Sequence, residues 1–314
     1  MVKKVFLILV LVLLAGCDFA TNSGEIIEET ATGCPYSCHS GSDSLDVEIL
    51  NPDPNLPENY REVYEFSEFA PELYISNDGE ADVTIGSACI SGLNQEVFGF
   101  SGCECQDFSV VVNEPDSSDY RETRVYFASY SPSLIDDNVL DQTLNFYTKY
   151  EYTTYGLFEA CIKGDVKEEG CDAYGNVLDV SSEGPVTVTE IYQVLRPTGS
   201  AVDLELNVAV KVDEGRSEWL IAQEDASSYD CSIVAEHDPI IKVNAYMEEL
   251  YGSVSCPDIL VEDGEGQTTC IISGVPLSDS DGNQISNRYS QGYLELEYGY
   301  ARMDSVEFRV VPLG

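Results

Sequence analysis

The sequence predicts an all-β chain of two antiparallel sandwiches in tandem, and three observations carry that prediction. Apolar and polar residues alternate at a period of two, most cleanly where Val202, Leu204, Leu206, Val208, Val210 and Val212 interleave with Asp203, Glu205, Asn207 and Lys211. Short runs of this kind recur between turn-forming residues such as Asn77-Asp78-Gly79. No sustained 3.6-residue apolar period runs through the first half, and the second offers one brief helical possibility, Ser217 to Ala226.

Taken in order, residues 1–16 read as a signal peptide. Lys3 and Lys4 form a basic head, and Val5 to Ala15 is an apolar run too short to span a bilayer, which takes about 20 residues. Leu14-Ala15-Gly16-Cys17 resembles the lipobox of prokaryotic lipoproteins. The resemblance implies that Cys17 is lipidated, begins the mature chain and anchors it in a membrane. Residues 17–44 are rich in Ser, Thr, Gly and Glu and read as a flexible tether, interrupted by Cys34-Pro35-Tyr36-Ser37-Cys38.

The first sandwich is assigned to residues 45–165. It opens with Leu45, Val47 and Ile49 alternating against Asp46 and Glu48. Further strands are expected at Glu72 to Ser76, Ala81 to Ile90, Phe108 to Val112, Thr123 to Tyr130, Thr143 to Thr153 and Gly156 to Ile162. Residues 166–184, rich in Gly, Ser and charge, read as a linker. The second sandwich, 185–314, begins at Val186 and includes the Val202 strand, Ile240 to Tyr246, Thr268 to Ile272, Tyr293 to Tyr300 and Val306 to Val311. With residues 1–16 removed, the 298 that remain suit two domains of ordinary size.

The stretch Leu73-Tyr74-Ile75-Ser76-Asn77-Asp78-Gly79-Glu80-Ala81-Asp82-Val83 resembles the strand–turn–strand core of immunoglobulin-like, cell-adhesion-related repeats of bacterial and archaeal surface proteins. Gly184-Pro185-Val186-Thr187-Val188-Thr189 before the Val202 strand is similar in layout. The Cys256-Pro257 … Cys270 and Leu294-Glu295-Leu296-Glu297-Tyr298-Gly299-Tyr300 segments resemble uncharacterised exported archaeal proteins. The resemblance implies two immunoglobulin-like sandwiches on a cell surface. It carries architecture and location, not chemistry.

Charge narrows the function classes. Asp+Glu number 57 against 15 Lys+Arg, a net charge of −42 that becomes −44 without Lys3 and Lys4. Such a chain cannot neutralise a run of phosphates, so nucleic acid is excluded as a partner. Attraction to anionic headgroups by protein charge is excluded for the same reason. The acids are spread along the whole chain, which suits solubility in high salt or a repulsive coat on a crowded surface.

Eleven cysteines less Cys17 leave ten, an even number in a chain addressed to an oxidising exterior. The disulfide candidates are Cys256 with Cys270, Cys161 with Cys171, and Cys89 with either Cys103 or Cys105. Cys34, Cys38 and Cys231 are left without an assigned partner. Disulfides are favoured over a zinc set drawn from Cys34, Cys38, His39, Cys103 and Cys105, whose spacing is not that of a standard knuckle.

Chemistry-bearing motifs are few. The two histidines, His39 and His237, stand in the tether and an acidic loop, and neither G-x-S-x-G nor H-E-x-x-H occurs. No catalytic residue and no cofactor is expected, and the chain reads as a non-enzyme. Asp279, Asp281 and Asn283 form a weak calcium candidate in which Gly282 arrives too early for the usual loop. Tyr147, Tyr150, Tyr152 and Tyr155 are the candidate binding face, set against the alternative that strand-forming tyrosines pack inward. The expected function is a lipid-anchored cell-surface role, structural or adhesive, through an envelope protein, a glycan or self-association. The alternative is a lipoprotein that captures a glycan or divalent cation for an envelope system.

Overall fold

The computed structural model describes residues 45–50, 62–77, 79, 81–111, 121–135, 138–165, 169–182, 184–212, 217–231, 239–247, 253–278 and 287–313. The signal peptide, Cys17, the tether with Cys34, Cys38 and His39, His237, and the Asp279, Asp281 and Asn283 trio all lie outside the described residues.

The chain is nearly all β. In the first half, β1 (Leu45–Leu50), β2 (Glu62–Tyr64), β3 (Glu72–Asn77), β4 (Val83–Ser91), β5 (Cys103–Val110) and β6 (Glu122–Tyr126) lead to β7 (Leu140–Lys163). Then come β8 (Tyr174–Asn176), β9 (Leu178–Ser181), β10 (Val186–Pro197), β11 (Ala201–Val212) and β12 (Glu218–Ile221). Last are β13 (Ile240–Met247), β14 (Ser253–Ser255), β15 (Ile259–Glu262), β16 (Glu265–Pro276) and β17 (Asn287–Val311). One helical turn, α1 (Gln95–Phe98), is capped by Asn94, whose side chain accepts from the amides of Glu96 and Val97.

β1, β3 and β6 form a small antiparallel sheet. The remaining strands form a large one whose main path runs β5-β4-β7-β17-β13-β15-β16-β11-β10-β8. Asn77 makes the turn that passes the chain from the small sheet to the large one. Its buried Oδ1 accepts from the Gly79 amide at 3.0 Å, and its Nδ2 donates to the Ala81 carbonyl at 2.8 Å. The two strands it joins therefore face each other across a core instead of pairing. Leu73, Ile75, Val83, Val110, Val125 and Phe146 fill that core.

β7 and β17 organise everything else. They pair antiparallel from Leu140 opposite Val310 to Lys163 opposite Asn287, with no register shift. On β7 the even-numbered residues from Leu144 to Ile162 are all buried, so one face of a single strand lines both halves. Its first part faces the small sheet, where the Phe127 and Phe146 rings lie 6.3 Å apart. Its second part faces β10: Thr154 Oγ1 donates to the Val186 carbonyl at 2.9 Å, and the Cys161 amide donates to Gln193 Oε1 at 2.8 Å. Ile191, Leu195, Leu204, Leu206, Leu294 and Leu296 close this second core.

Where the two cores meet stands a ladder of buried tyrosines. The Tyr150, Tyr152, Tyr298 and Tyr300 rings neighbour one another at 5.8 to 6.2 Å. The Tyr152 hydroxyl accepts from the Ala81 amide, that of Tyr298 accepts from the Val186 amide, and that of Tyr300 donates to Glu218. Tyrosine suits this seam because its ring packs as an apolar body while its hydroxyl satisfies buried backbone.

Four sequence expectations change in detail. Strands expected at Thr143 to Thr153 and Gly156 to Ile162 are one strand, and so are those at Tyr293 to Tyr300 and Val306 to Val311. The linker 166–184 contains β8, paired with β10, and β9, paired with β7. Strand pairing is thus continuous across the boundary between 45–165 and 185–314, and the described strands of both halves belong to one compact unit. Ser217 to Ala226 holds β12 and a 3-10 turn (Gln223–Asp225), because Trp219, Leu220 and Ile221 pair with β17.

Candidate functional site

The candidate tyrosines do not share a face. Tyr150 and Tyr152 point into the core and are buried, while Tyr147 and Tyr155 lie on the outer side of β7. Tyr155 is buried too, at 9% exposure, and desolvation followed by the nearby Glu295 charge pushes its hydroxyl up to about 12. The four form no exposed binding face, and the inward-packing alternative describes Tyr150 and Tyr152. Lys149, on the same outer side as Tyr147, is buried as well; the segment after the 3-10 turn covers it.

The cysteine assignments are sharper. Cys161 bonds Cys171, Cys256 bonds Cys270, and Cys89 takes Cys105 of its two expected partners. Cys103 bonds Cys231, 128 residues away, a pairing that local spacing gives no means of finding. Cys34 and Cys38 lie outside the described residues.

A groove of about 480 Å3 opens on the outer face of the sheet where β7, β9 and the start of β17 lie side by side. β7 contributes Leu157, Glu159 and Cys161 at alternate positions, and β17 sets Tyr289 opposite Cys161 and Gln291 opposite Glu159. The far wall is the segment from Asp172 to Asp179. Tyr174 and Tyr289 are 50% and 61% exposed, a large apolar area to leave in water on two neighbouring walls.

The far wall is firmly built. The Cys161–Cys171 bond closes the loop onto β7, and Lys163 Nζ donates to the Cys171 carbonyl at 2.6 Å. Gln193 is buried and does the work of a missing strand neighbour. Its amide accepts from the Cys161 amide and donates to the carbonyls of Cys161 and Asp172 at 3.0 and 3.1 Å. Asn176 Oδ1 accepts from the amides of Leu178 and Ile191, fixing the bend between β8 and β9. Gly175, at φ +152°, adopts a conformation that side chains rarely tolerate.

The chemistry of the lining is uniform. Glu159, Asp172 and Asp179 supply carboxylate acceptors, Gln291 supplies an amide, and among the described residues no lysine or arginine lines the groove. A negative, polar groove walled by tyrosines repels anions. It suits a ligand rich in hydroxyl donors with flat C–H faces for the rings.

Metal chemistry lies elsewhere. Among the described residues, the group of three or more His, Cys, Asp or Glu side chains close enough to share an ion is Cys89, Cys103, Cys105 and Cys231. The groove was not legible in the sequence, because Asp179 and Tyr289, the ends of its two parts, are 110 residues apart. The signal that exists is the pair of tyrosines, Tyr174 and Tyr289, at polar ends of strands. No protein-family model matches the chain, and no curated protein matches it significantly.

Proposed function

We propose that this protein is an exported, lipid-anchored surface protein with an adhesive, non-catalytic role, and that it holds a neutral or aminated saccharide in the groove between Tyr174 and Tyr289. The observation that carries the reading is the exposure of those two rings beside three carboxylates, with no basic residue in the lining among the described residues. Sugar hydroxyls donate to carboxylates, and the C–H faces of a pyranose lie flat on tyrosine. Acidic sugars and phosphorylated glycans are repelled. The tether and the lipid on Cys17 would hold the sheets clear of a membrane, and the charge of −42 would keep neighbouring copies apart.

The test is a screen of the full chain carrying Cys17→Ser against neutral, aminated and acidic oligosaccharides, followed by calorimetry on the ligands retained. Saturable binding is expected from neutral or aminated ligands, with Tyr174→Ala and Tyr289→Ala each weakening it about tenfold, the worth of roughly 1.4 kcal/mol. Tyr126→Ala, 63% exposed on β6 in the other half, should bind as the parent does. Absence of binding throughout, or equal binding by both groove variants, would falsify the reading.

A second reading rests on a separate observation. Among the described residues β1 pairs with β3 alone, leaving a sheet edge of six residues open to a partner strand. Protein association by strand addition there predicts that Val47→Pro removes partners captured by cross-linking on intact cells.

A further inference from the structure

The four cysteines that end β4, begin β5 and close the 3-10 segment make two disulfides, yet their sulfurs form one cluster. Cys89 lies directly opposite Cys105 across the β4–β5 pair. Cys103 and Cys105 are two apart on β5 and so share a face. Cys231 ends the segment that covers this face at Ser87 and Lys149, and its sulfur is 2.9 Å from the Ile90 carbonyl. All four Sγ atoms lie within 4.8 Å of one another, and Cys103 Sγ is 3.7 Å from Cys105 Sγ although the two belong to different disulfides. Cys89 is buried and the other three half-buried.

That spacing is close to the edge of a tetrahedron. A divalent zinc-type ion bonded to thiolates at about 2.3 Å holds its sulfurs about 3.8 Å apart. The unbonded contact between Cys103 and Cys105 already has this length, and the bonded pairs need only relax toward it. The backbone around the cluster is held by groups that take no part in the redox chemistry. Ser87 Oγ donates to the carbonyls of Ala226 and Ser228, and Lys149 Nζ is 2.6 Å from Asp230 Oδ1. The segment bearing Cys231 therefore keeps its seat when the disulfides open.

We propose that Cys89, Cys103, Cys105 and Cys231 form a redox-gated site for one divalent thiophilic ion of the zinc type. Two dithiol reductants each convert one protein disulfide to two thiols and are themselves oxidised to disulfides. The four thiols then lose four protons as the ion binds in their place. Oxidised, the cluster cross-links β4 to β5 and β5 to the 3-10 segment; reduced, the ion makes the same cross-links through four thiolates.

The experiment uses the full chain with Cys17→Ser, reduced without oxygen and titrated with cobalt(II) as the probe. One equivalent is expected to give the d–d absorption of a tetrahedral four-thiolate centre, and zinc should displace it. Alkylation followed by peptide mass spectrometry should find Cys89, Cys103, Cys105 and Cys231 protected and Cys161, Cys171, Cys256 and Cys270 modified. Cys105→Ser should weaken cobalt by at least the roughly 10–100-fold that even an outer-shell partner is worth. Should the reduced chain unfold without metal, circular dichroism on adding zinc replaces the cobalt reading, and recovery with one equivalent supports the site. Uniform alkylation of all ten cysteines of that chain, a spectrum of fewer than four thiolates, or no recovery with zinc overturns it.

Discussion

At the scale of single residues, the seam between the two cores shows how little room the packing leaves. A Cβ added at Gly184 would stand 2.7 Å from a Tyr152 ring carbon, 2.9 Å from Thr154 Oγ1 and 3.2 Å from the Tyr298 hydroxyl. Thr154 Oγ1 and the Tyr298 hydroxyl bond each other and the Val186 backbone, so neither can yield without breaking a buried hydrogen bond. Gly184→Ala should cost about 1–3 kcal/mol, read as a lower urea midpoint with an unchanged slope. Glu295 gives the pH-dependent case. Desolvation raises its carboxyl, Glu297 adds to this, and the Tyr246 hydroxyl partly offsets it. A raised carboxyl favours the folded state below its unfolded value and loses that contribution as pH climbs through the folded one. Glu295→Gln should therefore raise the melting temperature at pH 7 and leave it unchanged near pH 3, measured in parallel scans.

At the scale of elements, the segment from Ala222 to Cys231 lies on the back of the large sheet and buries a charge. Lys149 is 3% exposed and bonds Asp230, which is 54% exposed, and Ser228 Oγ at 2.9 Å. Removing the carboxylate strands the ammonium, whereas removing the lysine leaves an aspartate that water can reach. Asp230→Asn should cost about 3 kcal/mol and Lys149→Met clearly less, so the ordering of the two denaturation midpoints is the measurement. The same segment marks how far sequence reasoning reached. Alternation placed Leu45–Leu50, Glu72–Asn77 and Ala201–Val212 closely, and bracketed turns gave Cys161–Cys171 and Cys256–Cys270, because those signals are local. Parity puts Lys149 on the outer side of β7, and only the distant Asp230 and Cys231 bury it. Tyr150 and Tyr152 were legible as inward by the same parity; Tyr155, on the other face, was not legible as buried. The groove depends on a register between β7 and β17 that no stretch of either strand announces.

At the scale of the whole molecule, the question is whether residues 45–165 and 185–314 fold as two bodies, as the sequence predicts, or depend on one another. The pairing of β7 and β17 runs for 24 positions, and β17 also carries β2 of the first half at Arg309 to Val311 and β13 of the second at Gly292 to Glu297. Phe308 stacks on Phe69 in the first core, while Leu294 and Leu296, on the same strand, fill the second. A fragment ending at residue 165 would leave β7 with no neighbour where β17 lies and would expose the inner faces of Tyr150 and Tyr152. Residues 45–165 expressed alone should therefore fail to give a cooperative transition. In the full chain, unfolding should be a single event. Trp219, the one tryptophan, pairs with Ala301 in β17 and reports on the second half, while the Cys89–Cys105 pair can be read by its exposure to a reductant in the first. Coincident urea midpoints for tryptophan fluorescence and disulfide accessibility are expected. Two separated transitions, or a fragment 45–165 that unfolds cooperatively by itself, would mean that the long strand pair joins two self-sufficient sandwiches and does not bind their stabilities into one.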